Sequence, residues 1–476
     1  MLQTKENAVS STDLFEHGTT WIRADFHLHT RADKEFKHSP DDNNFVAQYV
    51  DSLKAAGIGL GIITNHNKFQ LDEFKAIRKK AAKENIGILP GVELSVNDGS
   101  NGIHTLVVFS EEWIENGNDF ISQFLGTAFA GKVPSHYENE NGRTNSNLVE
   151  TLKQLEQFQK DFFVVFAHVE ADSGLWKELD GGRIEELAKN ALVRRYCLGF
   201  QKVRTHDKSG AKCRVQVKKW WENYPAELEG SDPKEVSEIG RGQKCYIKIG
   251  ALSFEAVQFA LRDFTFRVAP EAPKPSHSHI SAVRFDGGML DGVRIPLSPH
   301  MNCLIGIQGS GKSSILESIR YALDIGFGEL AQDKNYKEEL LPYALGSGGK
   351  VILAAQDKVG TSYEVHRILN HAPDVYVEGK LRQGVSVRET VVFKPLYFGQ
   401  KDLSAAGKGF GTDLVEKLIG DSLKIVRQKI SERQPKLKLA AKSLTDLRTD
   451  VETLERLEKD LKDVEFRRKS TILVLC

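Results

Sequence analysis

Between residues 21 and 170 the apolar positions fall into short continuous runs, and the stretches between those runs repeat apolar residues every three or four positions. Trp21–Leu28, Ile58–Thr64, Ile86–Leu94, Thr105–Phe109 and Phe162–His168 read as buried strands. Asn44–Ala56, Leu71–Asn85 and Leu148–Gln159 carry the helical spacing. Strands alternating with helices predict an α/β fold with a parallel sheet or barrel, in which polar groups collect at the C-terminal ends of the strands.

The pattern changes twice further along. Residues 269–279 hold three prolines and read as an extended linker, so the second His-x-His of the chain, His277 and His279, falls in a loop rather than at a strand end. From 421 to 470 there are 14 Lys or Arg and ten Asp or Glu, with Leu444, Leu447, Val451, Leu454 and Leu461 in heptad register. Pro435 is expected to interrupt the start of this segment, and Glu458 occupies a core position of the repeat. A coiled-coil arm is predicted; a single solvated amphipathic helix is the simpler alternative. The organisation is therefore an extension (1–20), a first domain (21–268), the linker (269–279), a second domain (280–420) and an arm (421–476).

Composition adds exclusions. With 476 residues the chain is long enough for two or three compact units. Lys plus Arg and Asp plus Glu each total 65, so global charge offers no attraction to nucleic acid. No apolar run approaches a membrane span and no secretory signal opens the chain. The five cysteines form no CxxC pair, so a cytoplasmic protein is expected.

Nine of the 14 histidines lie at or before His206. His27 and His29 end the first run, and as an i, i+2 pair on a strand they point to one side and can share a cation. His66, Glu93, His104 and His168 each border another apolar run. A single strand-end histidine is usually a hydrogen-bonded surface residue; five with a carboxylate strain that reading.

These residues resemble the polymerase-and-histidinol-phosphatase (PHP) domain, from about Trp21 to Val268. The opening motif is His27-Leu28-His29; Thr64-Asn65-His66, Gly91-Val92-Glu93 and Gly230-Ser231-Asp232-Pro233-Lys234 match later motifs. The resemblance implies a distorted βα (TIM-like) barrel and a metal-dependent phosphoric-ester hydrolase. It implies that His27, His29, Glu93 and Asp232 form the catalytic set and hold one metal, with Glu93 bridging to a second ion held by His104 and His168. His66 belongs to a third site in the family, but Asn65 stands where the family has Asp, and Lys234 where it has the His that would complete that site. Two ions are therefore expected, with Lys234 in the third position or against a substrate phosphate; His38 reads as a loop residue. Imidazole and carboxylate suit zinc, manganese or iron. Two such cations lower the pKa of a bound water and clamp an in-line displacement at phosphorus.

Between Phe200 and Glu222 there are seven Lys or Arg against two acids, with Trp220 and Trp221 adjacent. Lys212, Arg214, Lys218, Lys219 and Trp220 are candidates for tracking a phosphate backbone and stacking bases. The alternative is a solvated insertion whose tryptophans pack on the barrel.

Gly306-Ile307-Gln308-Gly309-Ser310-Gly311-Lys312-Ser313 matches the phosphate-binding loop G-x-x-x-x-G-K-[ST]. It follows the apolar run Met301–Ile305, read as a strand, and opens a helix through Leu323. Its glycines let backbone N–H groups turn toward phosphate, Lys312 supplies a cation, and Ser313 reaches magnesium, with Ser314 beside it. The surroundings resemble the N-terminal half of an ATPase head of the structural-maintenance-of-chromosomes (SMC) type, an α/β P-loop half-head. That resemblance implies ATP with magnesium as cofactor, Gln400 as the residue contacting magnesium and the attacking water, and a homodimer or a partner that completes the head. After Gln400 there is no Leu-Ser-Gly-Gly-Gln-like motif and no apolar strand ending in Asp-Glu, so a fragment that binds ATP and hydrolyses it poorly is expected. The whole reads as a metal-dependent phosphoesterase, a nuclease in genome maintenance or phage defence, acting on nucleic acid and not at a membrane. The alternatives are a phosphatase of small nucleotides or sugar phosphates, and a DNA-binding ATPase or scaffold with a structural metal domain.

Overall fold

The computed structural model describes residues 14–38, 43–204, 208–327, 333–399 and 410–475. Nine strands of the first half form one curved sheet: β1 (Thr20–Leu28), β2 (Leu60–Ile63), β3 (Gly87–Val96), β4 (Ile103–Phe109), β5 (Phe162–Phe166), β6 (Cys197–Gln201), β7 (Ala226–Leu228), β8 (Cys245–Ile249) and β9 (Val268–Ala269). Their order is β7-β6-β5-β4-β3-β2-β1-β8-β9, and the edge strands β7 and β9 approach each other, so the sheet is a nearly closed barrel.

Strand residues alternate between two cores, as a pleated backbone requires. Ile22, Ala24, Phe26, Leu60, Ile62, Leu89, Leu106, Val108, Phe163 and Val165 face one core, closed by Phe254, Val257 and Leu261 of the helix Phe254–Arg262. Ile63, Ile88, Val107, Phe109, Val164 and Phe166 face the other, under Leu53 of the helix Phe45–Ala55, Ile77 of Leu71–Ala82 and Leu152 of Leu148–Glu156. Burial on both faces explains why the sequence shows continuous apolar runs rather than alternation.

The sheet is not all parallel. β4 runs antiparallel to both β3 and β5, and β8 runs antiparallel to β1 and β9. Only six residues separate β3 from β4, too few for the crossover that a parallel pair needs, so the chain makes a hairpin. The start of β4 thereby lies where β3 and β5 end, with His104 opposite Ser95 and Thr105 opposite Phe166.

Residues 270–278 leave the barrel and lead to an antiparallel sheet of order β11-β10-β12-β13-β14-β15. Its strands are β10 (His279–Asp286), β11 (Arg294–Pro296), β12 (Lys350–Gln356), β13 (Ser362–Ile368), β14 (Asp374–Val377) and β15 (Lys380–Leu381). Val283, Phe285, Val351, Leu353 and Val365 pack with Ala322 of the helix Lys312–Ala322, with Leu323 that caps it, and with Ala344 and Leu345 of the helix Lys334–Leu345. Contrary to expectation, Met301–Ile305 is not a strand, and Met301, Ile305 and Ile307 are exposed at 85%, 92% and 83%. Strand geometry needs a hydrogen-bonded neighbour, and among the described residues none pairs with this segment. The arm is one helix, Phe410–Leu475, that continues through Pro435 rather than being interrupted there. Leu437, Leu444, Leu447, Val451, Leu454 and Leu461 lie exposed along it. Among the described residues no helix is long and apolar enough to cross a membrane.

Candidate metal centre

The polar residues at one end of the barrel converge. His27 and His29 come from the end of β1, where the register against β2 shifts between Asp25 and Leu28. His66 follows β2 and forms an isolated bridge with Glu93, which lies in β3. Gly91 permits that approach: a Cβ there would stand 2.9 Å from the Thr64 side chain and 3.0 Å from the carbonyls of Ile63 and Val107. His104 begins β4, and His168 follows β5 with a left-handed backbone, φ 26°. Asp232, also left-handed at φ 51°, is set by its backbone N–H donating to the His27 carbonyl at 2.8 Å.

Glu93 is fully buried at the centre of the group. Its Oε2 lies 2.6 Å from His27 Nε2, 3.2 Å from His66 Nε2 and 3.5 Å from His29 Nε2. Its Oε1 lies 2.9 Å from His104 Nδ1 and 3.3 Å from His168 Nε2, and makes no well-directed hydrogen bond. Asp232 Oδ1 is 3.1 Å from His29 Nε2 and 3.8 Å from His27 Nε2. All seven residues proposed from sequence as metal ligands are thus brought together.

The second ring nitrogen of several histidines is held by the protein. Gln201 Oε1 accepts from His27 Nδ1 at 2.9 Å and from the His168 backbone N–H at 3.2 Å. The Glu140 carbonyl accepts from His104 Nε2 at 3.0 Å. Asp33 Oδ2 accepts from His66 Nδ1 at 2.9 Å and from its backbone N–H at 2.7 Å, and lies 3.1 Å from His29 Nδ1. Holding one nitrogen fixes the ring and turns the other toward the carboxylates, the arrangement of a metal-ligating imidazole. Three sets of ligand atoms lie within 4.8 Å of one another: His27, His29 and Asp232; His29, Asp33 and His66; His66, Glu93 and His104. Nitrogen and oxygen donors converging on a buried carboxylate with an unsatisfied oxygen fit a divalent cation.

Sequence reading missed Asp33, Glu35, Gln201 and Lys202. Asp33 sits four residues beyond His29 in a loop with no strand to mark it, whereas Gln201 and Lys202 end the apolar run of β6 as the histidines end theirs. Asn65 does not face the cluster: its Oδ1 accepts from the Thr30 backbone N–H at 2.8 Å and its Nδ2 donates to Thr30 Oγ1 at 3.0 Å. Lys234 Nζ lies 2.8 Å from Glu35 and 3.3 Å from Asp232 Oδ1. His38 is an exposed loop residue beside the Phe36 carbonyl.

The electrostatics follow from this crowding. Burial alone would raise Glu93, but the charges of His27, His66 and His104 hold it well below the usual carboxylate range. Asp33 and Asp232 are likewise held low against burial, by His29 and His66 and by His27 and His29. Burial would lower His29; its hydrogen bonds to Asp232 and Asp33 and the charge of Glu93 override it and push it up to about 9. For His27 burial wins, and its pKa falls below the ordinary value.

At the phosphate-binding loop, Gly311 is left-handed and precedes the helix Lys312–Ala322. Lys312 Nζ donates to the carbonyls of Gly306 and Ile307 at 2.8 and 2.7 Å and to Ser310 Oγ at 3.2 Å. Gln308 and Gly309 lie in the exposed loop, and Ser314 is buried. Ser313 borders a cavity of about 270 Å³ with Glu317, Lys337 and Tyr397. Gln400 lies outside the described residues.

The basic run folds into the helix Lys208–Trp220, against the barrel. Arg214 makes a two-fold ion pair with Glu227, Lys218 lies 3.9 Å from the same carboxylate and over the Tyr224 ring, and Trp221 is buried with Trp220 packed beside it. Lys219 is exposed, and the Lys212 side chain lies outside the described set.

Residues 285–470 match the family model of an AAA domain. No curated protein matches the chain. Among solved structures, a protein from Bifidobacterium adolescentis designated a metal-dependent phosphoesterase is similar at 12% identity and TM-score 0.35, over 50% of this chain and 95% of that one. A two-domain protein from Bacteroides vulgatus, containing a predicted PHP-like metal-dependent phosphoesterase, is similar at 14% identity and TM-score 0.34, over 61% and 89%. PsfC from Pseudomonas syringae is similar at 13% identity and TM-score 0.30, over 52% and 89%. The chain thus joins an α/β barrel with a buried histidine–carboxylate centre to a domain matching the AAA family.

Proposed function

We propose that residues 20–269 form a metal-dependent phosphoesterase of the PHP type, attached to an ATP-binding domain. The observation that carries this reading is Glu93, one buried carboxylate whose two oxygens face two separate groups of histidines. His27, His29 and Asp232 would hold one cation, His104 and His168 a second, and Glu93 both. Bound there, the cations would activate a water and neutralise charge on a phosphoryl group. Gln201, Glu140 and Asp33 orient the histidines, and burial of Glu93 and His27 keeps bulk water from the ligands.

Nucleic-acid phosphodiesters are the substrate class suggested by the SMC-like character of the attached domain, which would bind ATP with magnesium through Gly306–Ser314 and pair with a second copy or a partner. The basic helix lends nuclease action less than its sequence implies, because Glu227 neutralises Arg214 and Lys218. Small phosphate esters are a second reading, favoured by the ammonium groups of Lys202 and Lys234 beside Asp232. The test is hydrolysis by the purified chain, with manganese or zinc, of single- and double-stranded DNA, RNA, a chromogenic phosphodiester and a phosphomonoester. Activity that disappears in the His27→Ala plus Glu93→Ala variant supports the reading. A chain that binds no divalent cation and cleaves none of these overturns it.

A further inference from the structure

The helix Phe410–Leu475 extends as a single arm. A seam of heptad spacing runs along it from Ile430 to Leu461, and its leucines are bare: Leu444 and Leu447, at the middle, are 73% and 65% exposed. Pro435 lies on the side of the helix opposite this seam and leaves it continuous. A long apolar stripe on an otherwise charged helix is the face that another helix covers.

The seam positions are 430, 433, 437, 440, 444, 447, 451, 454, 458 and 461. Eight of them hold Ile, Leu, Val or Ala, and two hold a charge, Arg433 and Glu458. A charge inside a closed seam must meet an opposite charge or remain desolvated and unpaired. Arg433 and Glu458 stand about 37 Å apart along one helix at a rise of 1.5 Å per residue, so they cannot meet within one chain.

Between two chains they do meet, because the seam reads as a palindrome about the point midway between Leu444 and Leu447. When two arms lie antiparallel with Leu444 opposite the partner's Leu447, Leu437 falls opposite the partner's Leu454, Ala440 opposite the partner's Val451 and Ile430 opposite the partner's Leu461. In the same register Arg433 falls opposite the partner's Glu458. The two-fold symmetry makes every such layer occur twice.

The remaining surface has the same polarity. Residues 425–445 carry six Lys or Arg against one acid, and residues 446–465 carry eight acids against four Lys or Arg. An antiparallel pair lays the basic half of each helix along the acidic half of the other. A parallel pair in register sets basic half on basic half, Arg433 against the partner's Arg433 and Glu458 against the partner's Glu458, which like-charge repulsion opposes.

We propose that this face is the docking site of a second copy of the chain, the two arms joining as an antiparallel coiled coil centred between Leu444 and Leu447 and held in register by two Arg433–Glu458 pairs. The paired arms keep their Phe410 ends about 100 Å apart. The phosphate-binding loops of one such dimer therefore stand at opposite ends and do not face each other. The pairing does not depend on the chemistry of the barrel.

The test is sedimentation velocity of the full chain without nucleotide, over a hundredfold range of concentration, with the melting of the barrel as the check that each variant folds. The parent should sediment as a dimer at micromolar concentration, and Leu444→Asp plus Leu447→Asp should make it monomeric. Arg433→Glu and Glu458→Arg, each alone, should weaken association roughly 10- to 100-fold, as like charges brought together in a seam imply. The chain carrying both reversals should regain the parent's affinity, since each pair is then only exchanged. In a parallel dimer neither single reversal changes the number of like-charged pairs. A parent that stays monomeric overturns the proposal. So does a dimer that survives the two aspartates, one that the single reversals leave unchanged, or a double reversal that associates no better than the singles. A monomeric parent that binds double-stranded DNA, and loses it in Lys436→Glu plus Lys438→Glu, also overturns it and gives the face to nucleic acid.

Discussion

Asp33 and His66 are joined twice through one oxygen: Oδ2 of Asp33 accepts from the backbone N–H of His66 at 2.7 Å and from its Nδ1 at 2.9 Å. The pair ties the loop after β1 to the loop after β2 and leaves His66 Nε2 facing Glu93. Replacing Asp33 with Asn keeps the shape but lets the ring turn. The expected outcome is roughly 10- to 100-fold weaker binding of zinc or manganese, measured by competition with a chromogenic chelator, with an unchanged far-ultraviolet dichroism spectrum.

Glu93 is the carboxylate on which the imidazoles converge, so Glu93→Gln removes the charge that balances His27, His66 and His104. Unfolding of the metal-free variant in urea should show a loss of roughly 3–5 kcal/mol, as when one partner of a buried charged pair is removed. The rise in Tm that a divalent cation produces in the parent should vanish in the variant.

The metal-free protein should be most stable in mildly acidic solution. Glu93, Asp33 and Asp232 are depressed, so their contribution is present above the ordinary carboxylate values and lost as the pH falls below them. His29 is raised from 6.5 to about 9, so its contribution is complete below 6.5 and disappears as the pH rises through 9. His27 is lowered and works against stability below 6.5. A cation held by His29 would replace its proton. Melting curves with saturating metal should therefore hold level between pH 6.5 and 9 where metal-free protein declines; parallel profiles would contradict this account.

Gly230 packs directly under His27. A Cβ at 230 would stand 2.6 Å from the His27 Cβ and 2.7 Å from its backbone N. Gly230→Ala forces the turn at 230, the end of β1 or the Gln201 amide to shift, and the expected result is a lower Tm together with less bound metal. A normal metal content and a parent-like Tm would show that the turn at 230 gives way without displacing His27.

In the second domain Lys312 satisfies its ammonium on the loop's own carbonyls, which holds the loop in a closed turn around it. Lys312→Ala should abolish binding of a fluorescent ATP analogue, followed by anisotropy, while leaving the metal content of the barrel unchanged.

Strands β1 to β5 were legible as residue runs because both faces are buried, which makes them continuously apolar, whereas β8 alternates buried with half-buried positions and β6, β7 and β9 are short. His27, His29, His66, Glu93, His104 and His168 were legible because each borders such a run, whereas Asp232 and the grouping of all seven as ligands came from the resemblance to the PHP motifs. Strand direction was not local information: β4 is antiparallel because its connection to β3 is short, and only that reversal brings His104 to the same end as His27. Asp33 has no strand to mark it, and although Gln201 and Lys202 end the apolar run of β6, the contacts of all three lie in which partner they meet across 33, 174 or 30 residues of chain. The phosphate-binding loop shows the opposite case. Its eight residues specify a turn and a following helix by themselves, but the apolar segment before it becomes a strand only where a neighbouring strand supplies its hydrogen bonds. Sequence alone determined the elements and the chemical character of their ends. The tertiary structure decided which ends meet, because side-chain distances of about 3 Å between remote residues depend on strand order and direction, which no local pattern encodes.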